Sequence, residues 1–165
     1  MSNYNSTKLN IKFKIDNQLS DYCLCYYRDL AYRDPQNRPH YYINIPIKSD
    51  SYLLLCIITS QIIKRKAYYA NNGKLANKTL KALVEINHNE ITKLNKPSII
   101  DCNQAELLTK ETLINKIDTS YNEPFVIYKN NITDDLKSKI IQAVKTSPIV
   151  EQYIKDLLID YSETQ

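Results

Sequence analysis

Apolar and polar residues alternate without a break over Leu9–Ile15 (Leu-Asn-Ile-Lys-Phe-Lys-Ile), which predicts a strand with Leu9, Ile11, Phe13 and Ile15 on one face. The Tyr- and Cys-rich stretch Asp21–Asp29 predicts a second strand. Asp34-Pro35-Gln36-Asn37 reads as a turn or loop, and Arg38-Pro39-His40 leads from it into strand-like Tyr41–Ile47. Ser49-Asp50-Ser51 marks a tight turn before Tyr52–Ser60, whose length and β-branched content fit a buried strand. Ala70-Asn71-Asn72-Gly73 is a turn. Leu80–Ile86 suits either a helix or a buried strand, Asn87-His88-Asn89 breaks it, and Glu90–Leu94 has room for one or two helical turns at most. Ser98–Asp101 follows Pro97 as a strand, and Lys110–Ile117 reads as a short helix.

The last third carries stronger signals. Thr133 is a good N-cap, and Asp134 and Asp135 complement the positive end of a helix dipole. Leu136, Ile140, Ile141 and Val144 then fall on one helical face. Ser147-Pro148 resembles a second start, cap plus first-turn proline, and is followed by a stripe of Ile149, Val150, Tyr153, Ile154, Leu157 and Leu158. Helices are therefore expected over residues 134–145 and 148–160. Short strands followed by helices, without regular alternation, imply an α+β chain that is mainly β. The expectation is a small antiparallel, barrel-like sheet of at least five strands over about residues 9–103, with C-terminal helices.

The chain of 165 residues fits one domain. Its single glycine, Gly73, excludes the phosphate loops of P-loop and Rossmann proteins, which need several. The longest apolar run, Leu53–Ile58, is too short to cross a bilayer, and Met1–Lys14 lacks the apolar centre of a secretory signal. A cytoplasmic protein without a membrane segment is expected. Residues 1–82 carry 13 basic and 5 acidic side chains, while residues 83–165 carry 9 and 13. A basic half suits a phosphate backbone, although a solvated lysine surface would give the same count.

The four cysteines are Cys23, Cys25, Cys56 and Cys102. Cys23 and Cys25 share a face if extended, but a structural zinc site needs a second close pair, so neither metal nor cofactor is expected. Cys56 reads as a core residue. Cys102 is not surrounded by a cysteine-protease signature that would enlist His40 or His88. Free thiols are the simplest reading.

Three segments together resemble the MazF/PemK family of toxin endoribonucleases. The first is Asn37-Arg38-Pro39-His40-Tyr41-Tyr42-Ile43, similar to the family's Arg-Pro before an apolar strand. The second, Ile57-Ile58-Thr59-Ser60-Gln61-Ile62-Ile63-Lys64-Arg65-Lys66, is similar to its apolar strand ending in Thr-Ser or Thr-Ala, then Gln and basic residues. The third joins Val84-Glu85-Ile86-Asn87 to Ser98-Ile99-Ile100-Asp101-Cys102-Asn103-Gln104, as in a Val-Glu-Ile strand, short helix and Ser-Val-Ile strand leading to Gln. The resemblance covers about residues 19–117. The chain departs from the family at Tyr32–Asn37, where a glycine-rich loop is usual, and at Ala105-Glu106-Leu107, where an Arg-Thr pair is usual. Residues 67–79 look like an insertion.

The resemblance implies an SH3-like or MazF-like barrel over residues 19–130; the pattern itself adds a 1–18 extension carrying a strand and a 131–165 helical segment, and residues 1–18 and the second C-terminal helix lie outside the family pattern. The resemblance also implies metal-independent cleavage of single-stranded RNA through attack of the 2′-hydroxyl on the adjacent phosphate, a homodimer, and a protein antitoxin as candidate partner. Arg38 would hold the anionic phosphorane with its fixed fork of donors. Thr59, with Ser60 beside it, would donate to a phosphate oxygen. His40 is a candidate acid or base, since histidine ordinarily titrates near neutrality, and an extended 38–44 would put Arg38, His40 and Tyr42 on one face. Gln61, Lys64, Arg65 and Lys66 are candidate RNA contacts, with Arg33 from the preceding loop. Two rivals stay open: an inactive module binding RNA or protein on the same scaffold, and an interaction protein working through its C-terminal helices.

Overall fold

The computed structural model describes residues 2–32, 36, 38–87 and 89–160. Arg33 and His88 lie outside the described residues.

Seven strands form one antiparallel sheet: β1 (Leu24–Tyr27), β2 (His40–Ile45), β3 (Tyr52–Thr59), β4 (Leu83–Ile86), β5 (Ser98–Asp101), β6 (Glu106–Thr109) and β7 (Phe125–Tyr128). The order is β4-β5-β3-β2-β1-β7. The long β3 is shared on one edge, pairing β5 through Ile58 and Thr59 and β6 through Tyr52–Leu55. Among the described residues, six α-helices accompany it: α1 (Ser2–Gln18), α2 (Ile62–Ala70), α3 (Ala76–Lys81), α4 (Lys110–Lys116), α5 (Asp134–Thr146) and the single turn α6 (Gln152–Lys155).

Both faces of this sheet are apolar, which explains the unbroken hydrophobic run of β3. Leu54, Cys56 and Ile58 point to one side, joining Leu24, Ile43, Ile45 and the α5 residues Leu136, Ile140, Ile141 and Val144. Leu55 and Ile57 point to the other, joining Cys25, Tyr27, Tyr42, Leu108, Phe125, Ile11 and Ile15 of α1, and Leu113 of α4. The sheet is thus the middle layer between two helical covers. It does not close into the expected barrel: β4 and β7 are opposite ends of the strand order and do not pair.

The first expected strand is also a helix. In α1, Ile11 and Ile15 are 2% and 1% exposed, whereas Leu9 and Phe13 are 66% and 63% exposed. Alternation hides a spacing of four: Ile11 and Ile15 lie on one helical stripe, with Leu19 buried just past the helix, while a strand would have buried all four residues alike. At the other end, residues 148–160 do not form the expected long helix. The Ser147 hydroxyl accepts the amides of Ile149 (3.2 Å) and Val150 (3.4 Å), and this tight turn leaves only Gln152–Lys155 helical. Leu158 then bridges back to Ile47. The ambiguous 80–86 stretch divides, with α3 ending at Lys81 and β4 beginning at Leu83. Glu90–Leu94 is turns, and β6, β7 and α2 are elements that the pattern did not announce.

Of the two caps read from the sequence, the one at Thr133 starts a helix. Thr133 Oγ1 accepts the Leu136 amide (3.2 Å) to start α5, and Gly73 supplies the positive φ of 60° in the turn between α2 and α3. All four cysteines are free thiols buried in the two cores. Among the described residues, no helix is long and apolar enough to cross a membrane.

Candidate functional site

Antiparallel pairing brings the start of β2, the end of β1, the end of β3 and the start of β5 to the same end of the sheet. A cleft of about 430 Å³ opens there. Its lining includes Tyr26, Tyr41 and Ile58 from the sheet, Arg38-Pro39-His40 from the approach to β2, and Thr59-Ser60-Gln61 with Lys64 from the passage into α2. Leu94, Asn95, Lys96 and Ser98 supply another part of the wall. Two segments distant in sequence, 38–41 and 58–64, therefore meet because Tyr41 pairs with Ile58.

Of the sequence-stated candidates, Arg38, His40, Thr59, Ser60, Gln61 and Lys64 all line this cleft. Arg38 is exposed and precedes the strand, and His40 is its first residue. Tyr42 does not line the cleft: it is buried farther along the strand, stacked on Tyr27 at 4.3 Å between centroids. Of the expected shared face, His40 and Tyr42 are two apart in β2 and so keep it, whereas Arg38 precedes the strand.

Thr59 is buried, and its hydroxyl accepts the Gln61 amide at 3.1 Å. Used as an acceptor there, Oγ1 keeps its proton for another oxygen. The N-terminus of α2 has no side-chain cap, so the positive end of its dipole is left without that neutralisation. The cleft wall carries three cations, Arg38, Lys64 and Lys96, and no acidic residue. None of the three has an acidic partner among the described residues.

The other two candidates of the basic cluster are held differently. Lys66 is ion-paired with Glu85, away from the cleft. Arg65 lies 3.2 Å from the carboxylate of Asp101 and donates to the Tyr32 hydroxyl at 3.2 Å. Asp101 also accepts the Tyr69 hydroxyl (2.8 Å) and the Asn103 amide (3.1 Å). Burial pushes the Asp101 carboxyl above the ordinary aspartate value, although Tyr69, Arg65 and Asn103 pull it back. Burial likewise raises the Tyr69 phenol. Helical geometry separates the cluster, because successive residues point about 100° apart and only Lys64 of the three faces the main cleft.

The sequence reading missed the aromatic wall and the buried anchor. Tyr32 sits edge-on to His40 at 4.9 Å, and Tyr26 packs against Tyr41 at 4.6 Å. Fourteen tyrosines in the chain blunted that signal. Asp101, fully buried at a strand end, was readable only as part of the strand. No family model, curated protein or solved structure matches the chain.

Proposed function

We propose that the cleft binds single-stranded RNA and cleaves it without a metal, as the resemblance of its segments to MazF/PemK toxins suggests. The observation that carries this reading is the meeting of Arg38, His40, Thr59 and Lys64 around one opening without an acidic residue. In-line attack by a 2′-hydroxyl needs its proton removed and the leaving 5′-oxygen protonated, while negative charge builds on the phosphate. Arg38 is the fixed fork for that charge. The Thr59 hydroxyl, whose oxygen accepts the Gln61 amide, donates its proton to a phosphate oxygen, and Ser60 stands beside it. Lys64 and Lys96 attract the flanking backbone, and His40 is the acid or base, with water exchanging the other proton. The activity is that of a cytoplasmic homodimer, with an antitoxin as regulator.

A second reading, RNA binding without cleavage, draws support from Tyr26, Tyr32 and Tyr41, since tyrosine rings are sequence-tolerant platforms for stacked bases. The deciding experiment incubates the protein with several single-stranded RNAs in the presence of chelator. Cleavage should be lost on Arg38→Ala, by about 10²–10³ in rate, and weakened by Thr59→Ala. Binding without cutting, with or without magnesium, transfers the conclusion to the binding module. Neither binding nor cutting removes RNA from the reading. Light scattering at micromolar concentration should give twice the chain's 19.3 kDa.

A further inference from the structure

Beside the main cleft lies a smaller compartment of about 230 Å³, lined by Tyr32, Gln61, Lys64, Arg65, Tyr68 and Gln104. Tyr32, Gln61 and Lys64 also line the main cleft, so the two openings share a wall. We propose that this compartment is a second phosphate subsite, taking a phosphodiester of the same RNA strand that adjoins the one in the main cleft. The proposal rests on the RNA reading above and adds where the strand continues and which residues hold it.

The lining offers donors. Lys64 and Arg65 can only donate, the other four residues carry hydroxyls or carboxamides, and none of the six is acidic. Arg65 is held from the protein side: its guanidinium lies 3.2 Å from the carboxylate of the wholly buried Asp101 and gives one N–H to the Tyr32 hydroxyl at 3.2 Å. Its fork keeps further N–H groups for a ligand. The Tyr32 oxygen accepts from Arg65 and has its own proton to give. Gln104 Nε2 spends one N–H on the Tyr69 oxygen at 3.2 Å and has a second.

The two cations divide the work. Asp101 balances the Arg65 charge, so Arg65 supplies oriented donors. Lys64 has no acidic partner among the described residues and supplies the net charge that draws an anion. A neutral base would cover the Lys64 ammonium without neutralising it, a desolvation cost that a phosphate offsets. At about 230 Å³ the space is below the roughly 300–1,000 Å³ typical of drug-sized ligands, the scale of one linkage of a longer strand. Because Lys64 borders both openings, it is shared by the two phosphates.

The test uses 2′-O-methyl trinucleotides, which carry two linkages and cannot supply the attacking hydroxyl. Binding is read by competition against a fluorescein-labelled 2′-O-methyl octamer, with chelator present. Replacing either linkage by an uncharged methylphosphonate leaves one charge, which the main cleft takes. The two-charge trimer should bind about tenfold tighter than either one-charge trimer, the scale of one charge-assisted contact. Arg65→Lys, which keeps a cation for Asp101 but loses the fork, should bring that ratio toward one. Tyr68→Phe, which leaves the buried network untouched, should also lower it, with folding of both variants checked by circular dichroism. Lys66→Ala should keep it, since Lys66 pairs with Glu85 and lines neither opening. Equal binding of one- and two-charge trimers, or a ratio that survives both Arg65→Lys and Tyr68→Phe, overturns the proposal and leaves the cleft reading standing. If a 5′-phosphate on a one-charge trimer gives the advantage and the second internal linkage does not, the subsite takes strand ends and the phosphodiester assignment is overturned. If neither octamer nor trimer binds, the cleft reading fails and this proposal with it.

Discussion

On the side of the sheet covered by α1 and α4, every cation of those two helices reaches an acceptor. Lys12 and Lys110 share Asp16, Lys116 lies between Asp29 and Glu106, Lys8 donates to Asn115, and Lys14 donates to the Phe125 carbonyl. At the cleft, Arg38, Lys64 and Lys96 have no acidic neighbour among the lining residues. The same net-positive half of the chain supplies most of both sets. Charge count therefore says little, and what distinguishes a binding surface is cations left unneutralised at an opening. The covered side spends its charge on fastening helices to the sheet, while the cleft keeps its own for a ligand.

The largest effect separating these regions should come from the covered core. Ile15→Ala should lower unfolding free energy by about 2–5 kcal/mol in urea titration, because its side chain is fully enclosed between α1 and the sheet. Phe13→Ala on the same helix should stay within about 0.5 kcal/mol, as expected for an exposed position. Equal effects would restore the alternating strand and dissolve the helical cover. Next in size, Asp29→Asn should cost about 1–3 kcal/mol, since a buried carboxylate that receives Lys116 at 3.2 Å and the Ala31 amide at 2.7 Å loses its charge. RNA binding should be unchanged in that variant.

These positions also show where the sequence could and could not be read. Strand β3 was readable because a fully apolar run of that length has few alternatives, and Ser98–Asp101 was bounded by a proline. Segment 9–15 misled because residues two apart and residues four apart are both apolar there, so period alone cannot separate strand from helix. Ser147-Pro148 misled because a serine hydroxyl can cap a helix or close a short turn, and the tertiary contact of Ser147 Oγ with Asn103 Oδ1 at 2.7 Å accompanies the turn. Arg38, His40, Thr59, Ser60, Gln61 and Lys64 were readable as two local motifs. That Lys66 would turn away and Arg65 would be captured by Asp101 depends on a contact 36 residues distant in sequence, which no local pattern carries.

The electrostatic half of the comparison can be measured directly. Three unneutralised cations at the cleft predict a salt dependence of single-stranded RNA binding with a log–log slope of about −2. Arg38→Ala, Lys64→Ala and Lys96→Ala should each reduce the slope by about 0.7, whereas Lys12→Ala on α1 should not move it. A slope unaffected by all three cleft substitutions would mean that RNA lies elsewhere.

The smallest effect concerns two buried aspartates of opposite character. Asp118, beside Arg28, is held below the ordinary carboxylate range, first by the Ser120 amide and then by that guanidinium. Asp101, beneath the cleft, is pushed above it by burial. A depressed carboxyl stabilises the fold above its unfolded value, near 3.8, and that contribution is lost as pH falls through the folded value. A raised carboxyl acts the other way: the folded state holds its proton more tightly, so its favourable contribution is complete below 3.8 and is lost as pH rises through the folded value. Urea titrations between pH 3 and pH 6 on Asp118→Asn and Asp101→Asn separate the two. The stability difference between wild type and Asp118→Asn should grow with pH across this window, and that between wild type and Asp101→Asn should shrink. Any constant loss from disturbed hydrogen bonds shifts either curve without changing its slope. Two slopes of the same sign would show that Asp101 is governed by Arg65 rather than by burial, and would place both aspartates in the same fastening role.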